Sequence, residues 1–131
     1  SMNNRKKFFV VFYIGMLSFF TLFSQVSAGI EWEKTEIDCG KIFYKEPIKL
    51  EFNFKNTSMV PLIIENVEST CGCTVTEFPR KPIMPGKSSK IIVTYDAENI
   101  GFFKKTVYVY TNTAEKRTVL TFYGEVVKKQ K

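Results

Sequence analysis

The chain has 131 residues, 44% hydrophobic and 24% charged, enough for one domain and neither disordered nor collagen-like in composition. It contains no histidine, which excludes Ser-His and Cys-His nucleophile pairs, imidazole proton shuttles and His-ligated metal sites. The formal charge of +6 comes from 19 basic and 13 acidic side chains.

Ser1 ahead of Met2 reads as a cloning remnant. Arg5-Lys6-Lys7 then precedes an apolar run from Phe8 to Phe23, which exits through Ser24-Gln25-Val26-Ser27-Ala28. Small residues at 26 and 28 fit a signal peptide over residues 1–28, cut after Ala28. The alternative is an uncleaved anchor, but the run of 16 residues is shorter than the ~20 that span a bilayer comfortably. No cysteine follows the run closely enough for lipoprotein attachment. The expectation is export to the periplasm or cell surface, with membrane contact only through the signal segment before cleavage. The remaining 103 residues carry 16 basic and 13 acidic groups, a formal +3, and three of those lysines lie in a short basic tail at 128–131. No clustered stripe of Arg and Lys remains, so no nucleic-acid partner is expected.

From residue 29 to 127 the pattern is that of short strands. Ile48, Leu50, Phe52 and Phe54 alternate with Lys49, Glu51, Asn53 and Lys55, a half-buried strand with one wet face. Asn56-Thr57-Ser58 ends it, and Pro61 opens Leu62-Ile63-Ile64. Ile91, Val93 and Tyr95 share one face of the next run, Phe103, Val107 and Val109 another, and Leu120, Phe122 and Val126 the last. Asp38-Cys39-Gly40, Pro85-Gly86, Asn99-Ile100-Gly101 and Asn112-Thr113 read as turns between these runs. No window after residue 29 has a helical period with caps. About seven short strands in about a hundred residues predict a single all-β domain, an antiparallel sandwich. Gly124, inside the last run, marks a bulge or a close backbone approach.

Three cysteines remain, Cys39, Cys71 and Cys73. In an extended Cys71-Gly72-Cys73 segment the two sulfurs project to the same side. Three readings of them are open. They can be small core residues, with or without a bridge from Cys39 to one of the pair. Cys71 and Cys73 can exchange disulfides with a partner, which needs a depressed thiol pKa and here lacks the helix N-terminus that helps C-x-x-C motifs. Two or three thiolates can also hold a soft metal, Cu(I) or Zn; the spacing of Met59 and Met84 does not single them out as further ligands. The carboxylates select no catalytic pair, and Gly-rich phosphate cradles, nucleophile elbows and cation-binding loops are absent. No cofactor is expected.

If Val107, Val109, Leu120 and Phe122 point inward, Tyr108, Tyr110, Val119, Thr121 and Tyr123 point outward. Adjacent in a hairpin, they form a tyrosine-rich surface of the kind found in interface cores, with Lys104 and Lys105 at its rim. Cross-strand aromatic packing that merely shields the sheet is the competing reading.

Several segments resemble domain-of-unknown-function family 1573. They are Asp38-Cys39-Gly40, the run Phe52 to Thr57, Pro61-Leu62, Cys71-Gly72-Cys73-Thr74, Pro82 to Gly86, Ile91 to Asp96, Gly101 to Lys105 and Thr111-Asn112. The resemblance covers residues 30–127, with the C-G-C-T and P-x-x-P-G segments its most specific part. It implies an immunoglobulin-like sandwich of seven or eight strands, similar to major sperm protein and ASPM–SPD-2–Hydin domains, in proteins exported by Bacteroidetes. The family usually carries an aromatic where this chain has Cys39, which implies that Cys39 replaces a core side chain. No reaction carries over. The reading is a non-enzymatic exported module that binds a protein or glycan partner through Tyr108, Tyr110, Tyr123, Lys104 and Lys105. The alternative is a thiol module built on Cys71 and Cys73, with or without Cys39.

Overall fold

Side chains that alternate between two faces of a strand can bury only one of them, so a second sheet must cover it. The computed structural model describes residues 27–72 and 74–130. The expected leader up to Val26, Cys73 and Lys131 therefore lie outside the described residues. In chain order the strands are β1 (Ile30–Trp32), β2 (Glu36–Phe43), β3 (Ile48–Asn56), β4 (Ile64–Ser69), β5 (Thr74–Glu77), β6 (Ser88–Tyr95), β7 (Gly101–Thr111) and β8 (Arg117–Val127). They form two four-stranded sheets, one ordered β1-β3-β6-β5 and the other β2-β8-β7-β4. The described residues contain no helix, and the architecture is the expected immunoglobulin-like sandwich.

The core comes from the alternating residues read in the sequence. Phe52, Phe54, Ile91, Val93 and Tyr95 from the first sheet meet Val107, Val109, Leu120, Phe122 and Val126 from the second, all essentially excluded from solvent. Tyr95 stacks on Phe103 with ring centroids 4.7 Å apart and meets the edge of Phe122 at 5.7 Å. Trp32 packs on Phe54 at 5.1 Å and its indole N–H donates to Thr118 Oγ1 at 3.2 Å, tying β1 to the opposite sheet.

Two features depart from the sequence reading. Asp38-Cys39-Gly40 is not a turn between strands but a bulge inside β2, and β2 lies parallel to β8, so the second sheet is mixed rather than antiparallel. The register passes from Asp38 opposite Tyr123 to Lys41 opposite Glu125, so Cys39 and Gly40 together face Gly124. Gly40 takes φ 64°, and its N–H donates to Asp38 Oδ1 at 2.9 Å. The extra residue reverses the alternation: Ile37 and Ile42 both face inward, and Phe43 is turned out to solvent.

The end of the sandwich near the β7–β8 turn is closed by Asn56, which is fully buried. Its Nδ2 donates to the carbonyls of Val60 and Ile83, each at 2.8 Å, and its Oδ1 accepts from the N–H and hydroxyl of Ser58 at 2.9 and 2.7 Å. Every hydrogen-bonding position of the amide is thus used, as burial of a polar group requires. At the same end Ala28 is buried and pairs with Thr113; cleavage after Ala28 would remove that contact.

A Cβ added at Gly124 would stand 2.6 Å from the Gly40 carbonyl oxygen, 3.0 Å from Phe103 and 3.2 Å from Cys39 Cβ. Gly124→Ala is therefore expected to destabilise the fold by about 1–3 kcal/mol. Asn56→Ala, which removes four hydrogen bonds made by a fully buried side chain, should cost about 2 kcal/mol or more. Urea denaturation checks both as a lowered midpoint with an unchanged slope.

Candidate functional site

The outer face of the second sheet carries the tyrosines. Val107 and Val109 are fully buried, so Tyr108 and Tyr110 on β7 project to the other side. Register then assembles rows across the sheet, taken here from the turn end downward. Asn66, Tyr110 and Arg117 form one row and Glu68, Tyr108 and Val119 the next. Thr106, Thr121 and Glu36 follow, then Lys104, Tyr123 and Asp38, then Phe102, Glu125 and Lys41.

The expected contact residues do not form one cluster. Tyr108 and Tyr110 are neighbours, whereas Tyr123 lies four residues along the strands, about 14 Å away, with threonines between. Lys104 stands beside Tyr123. Lys105 does not share this face: it pairs with the fully buried Phe122, and its side chain belongs to the inner side, below the end of β4. Two residues not expected at the site hold the upper pair. The Arg117 guanidinium lies 4.7 Å from the Tyr108 ring centroid, and Tyr110 donates its hydroxyl to Glu68 Oε2 at 3.3 Å. The connection spans 112–115, two residues longer than the Asn112-Thr113 turn read in the sequence, and that length places Arg117, not Glu115, opposite Tyr110. Glu65, Tyr110, Asn112 and Lys116 line an open cleft of about 410 Å³ at the upper end of this face, and Val119 is exposed beside Tyr108.

The opposite sheet offers a larger open groove of about 630 Å³, lined by Glu31, Glu33, Asn53, Lys55, Ser88 and Lys90. Its acids and lysines alternate, and Lys90 is paired with Glu51 at 2.8 Å. That is the composition of a solvated face.

The cysteines are separated by the sheet order. Cys39 is on edge strand β2, and Cys71 follows the opposite edge strand β4, three strand spacings or about 14 Å across. A bridge from Cys39 to Cys71, or a site using both thiols, does not fit this arrangement. Cys39 carries a free thiol, and Cys71 is disulfide-bonded. Cys71 Sγ also lies 3.5 Å from Thr74 Oγ1, and the Cys71 carbonyl accepts from Ser69 Oγ at 2.9 Å. Cys73, the other half of the expected pair, is outside the described residues. Among the described residues no three Cys, Asp or Glu side chains are grouped to hold a metal.

Burial raises the Cys39 thiol pKa, and the Asp38 carboxylate raises it further against a smaller opposing hydrogen bond from the Tyr123 backbone. Cys39 thus stays protonated at neutral pH, the reverse of an activated thiol. Asp38 is also the main cause of a raised Tyr123 phenol, followed by desolvation and the Glu36 charge. Asp38, Cys39 and Tyr123 form one coupled group around the bulge.

Residues 30–126 match the family model described as "Protein of unknown function (DUF1573)". A comparison with curated proteins finds no match. Among solved structures, a protein of unknown function from Porphyromonas gingivalis W83 aligns with TM-score 0.68 at 18% identity, over 81% of this chain and 50% of that one. The chain thus spans half the length of that protein. The ASH / PapD-like domain 7 of human CEP192 aligns with TM-score 0.68 at 9% identity, over 83% of this chain and 92% of that one. The YadV chaperone gives 0.51 at 12%, over 80% and 54%. At these identities the likeness is one of fold.

Asp38→Asn is expected to lower both the Tyr123 phenol and the Cys39 thiol towards their ordinary values, removing the largest cause at Tyr123 but only the second at Cys39, where burial persists. Ultraviolet titration and the pH profile of alkylation read the two separately. Both groups hold their protons more tightly when folded. Their stabilising contribution is therefore complete below the ordinary values and is lost as pH rises through the raised ones.

Proposed function

The chain belongs to the DUF1573 family, and on that premise we propose that it is an exported, non-enzymatic binding or scaffold module for a protein or glycan partner. The observation that carries the reading is the pairing of Tyr108 and Tyr110 on one outward strand face, beside exposed Val119 and the cleft that Tyr110 lines. Tyrosine presents a rigid apolar ring with a polar tip, which suits a surface that must stay soluble alone and bury area in a complex. Arg117 and Glu68 hold both rings in place before any partner arrives, which lowers the ordering cost of binding. Tyr123 and Lys104 extend the surface downward. Immunoglobulin-like neighbours such as the YadV chaperone and the ASH / PapD-like domain support the module as a scaffold.

A second reading is thiol-based and rests on Cys71, half-buried and disulfide-bonded where the chain crosses between sheets. It expects reduction by a small thiol reagent without unfolding. Cys39 takes no part in it.

Replacing Tyr108, Tyr110 and Tyr123 by Ser should lower capture of envelope proteins, or of glycans on an array, at least about tenfold. The urea midpoint should move little, since the side chains are on the wet face. Unchanged capture by a folded triple variant would reject the reading.

A further inference from the structure

β2 is an edge strand, and its bulge decides which residues turn their main-chain groups away from β8. Thr35 accepts the Thr121 N–H at 2.9 Å, so Thr35 and Ile37 face β8 while Glu36 and Asp38 point outward. Below the bulge Tyr44 donates to the Val127 carbonyl at 2.9 Å. Ile42 and Tyr44 therefore face β8, and Lys41 and Phe43 point outward. All four outward residues are exposed. Between them the Gly40 N–H is already held by Asp38 Oδ1 at 2.9 Å.

The outward positions 36, 38, 41 and 43 form a set that reads the same from either end. About a two-fold axis between Cys39 and Gly40, the β2 of a second copy sets Asp38 opposite Lys41 and Glu36 opposite Phe43. No other antiparallel register of β2 with itself pairs all four. The three-residue step from Asp38 to Lys41 is out of phase with a regular strand, whose outward groups recur every two residues. It stays in phase with a strand that carries the same bulge. The bulge thus closes this edge to ordinary strand addition, as bulged edges do, and leaves it open to its own copy.

We propose that the chain forms a two-fold dimer through β2, antiparallel to the β2 of a second copy, which joins two four-stranded sheets into one of eight. The side chains agree with the register. On the outer face each Asp38 carboxylate meets the second copy's Lys41, and Glu36 lies diagonal to that same lysine. Glu125, beside Lys41 in its own chain, continues the alternation of charge along the row. No like-charged pair is directly opposed between positions 36 and 43. On the inner face Ile37 meets Ile42, which extends the core across the axis. Phe43, 41% exposed in one chain, comes to lie beside the Glu36 stem. Edge strand β4 offers nothing comparable, because its charged residues are Glu65 and Glu68 with no cation. The dimer would carry both Tyr108–Tyr110 pairs on one face, five strand spacings or about 24 Å apart, an arrangement for two-point capture.

Sedimentation velocity over an about hundredfold range of concentration should show a monomer–dimer equilibrium for the chain as exported. Lys41→Glu sets a carboxylate opposite Asp38 on both sides of the axis and should weaken the dimer at least about tenfold. Asp38→Lys sets an ammonium opposite Lys41 with the same result. Mixed together, the two variants restore both opposite-charge pairs, and a heterodimer should form about as tightly as the wild-type dimer. Urea midpoints separate loss of pairing from loss of fold, since Asp38 also accepts the Gly40 N–H within its own chain. Where Asp38→Lys fails to fold, Asp38→Asn added to Lys41→Glu serves instead. It keeps the acceptor, removes the repulsion and should recover part of the lost affinity. A monomer at every concentration overturns the inference, and so does a dimer that Lys41→Glu leaves unchanged. Failure of the folded variants to associate when mixed overturns it too. Tyr108 and Tyr110 are untouched throughout, so the partner-binding reading stands or falls apart from this result.

Discussion

The contact between Gly124 and the carbonyl of Gly40 constrains the whole second sheet. No side chain fits there, and the two backbones approach closely enough for β2 to run parallel along β8 across a bulge. The β2 side of the outer face takes its position from that approach. It sets Asp38 beside Tyr123, Lys41 beside Glu125 and Phe43 beside Val127. The core depends on it equally, because the bulge lets Ile37 and Ile42 both point inward although they are five residues apart.

The two ends of the sandwich are built on different physics. Near the β7–β8 turn, a fully satisfied asparagine side chain knots three backbone segments together, and apolar surface is covered. At the opposite end, β4 stops short of the start of β7, the chain crosses between sheets at Cys71, and large apolar residues stand in water beside lysines. Between them the outer face grades from tyrosines restrained by Arg117 and Glu68, through threonines, to Phe102. A single strand, β7, carries this gradient on one side while its other side is uniform core.

Most of the fold was legible because alternation is a local property. Phe52, Phe54, Ile91, Val93, Val107, Val109, Leu120 and Phe122 are buried as their spacing required. Gly124 was readable as a close approach, although its partner was not, since Gly40 is distant in sequence. Asp38-Cys39-Gly40 looked like a turn because a bulge and a turn draw on the same residues: an aspartate that accepts a nearby N–H, and a glycine at positive φ. The separation of Cys39 from Cys71 depends on strand order, which no local pattern encodes. Lys104 and Lys105 looked alike as a pair, yet adjacent residues on a strand face opposite ways, and only the pairing with Phe122 shows which one is turned inward. Phe102 escaped notice because an apolar residue beside another apolar residue reads as continuation of a buried run.

The parallel pairing of β2 with β8 also bears on when the molecule can form. Glu36 meets Thr121, and Trp32 meets Thr118 across 86 positions of chain. Synthesis proceeds from the N-terminus, so β2 has no strand of its own sheet to pair with until β8 has been made. Such long-range closure slows folding. The first sheet, by contrast, has all of its strands once Tyr95 is made, so one half of the sandwich can assemble while its apolar face still waits for the other half to cover it.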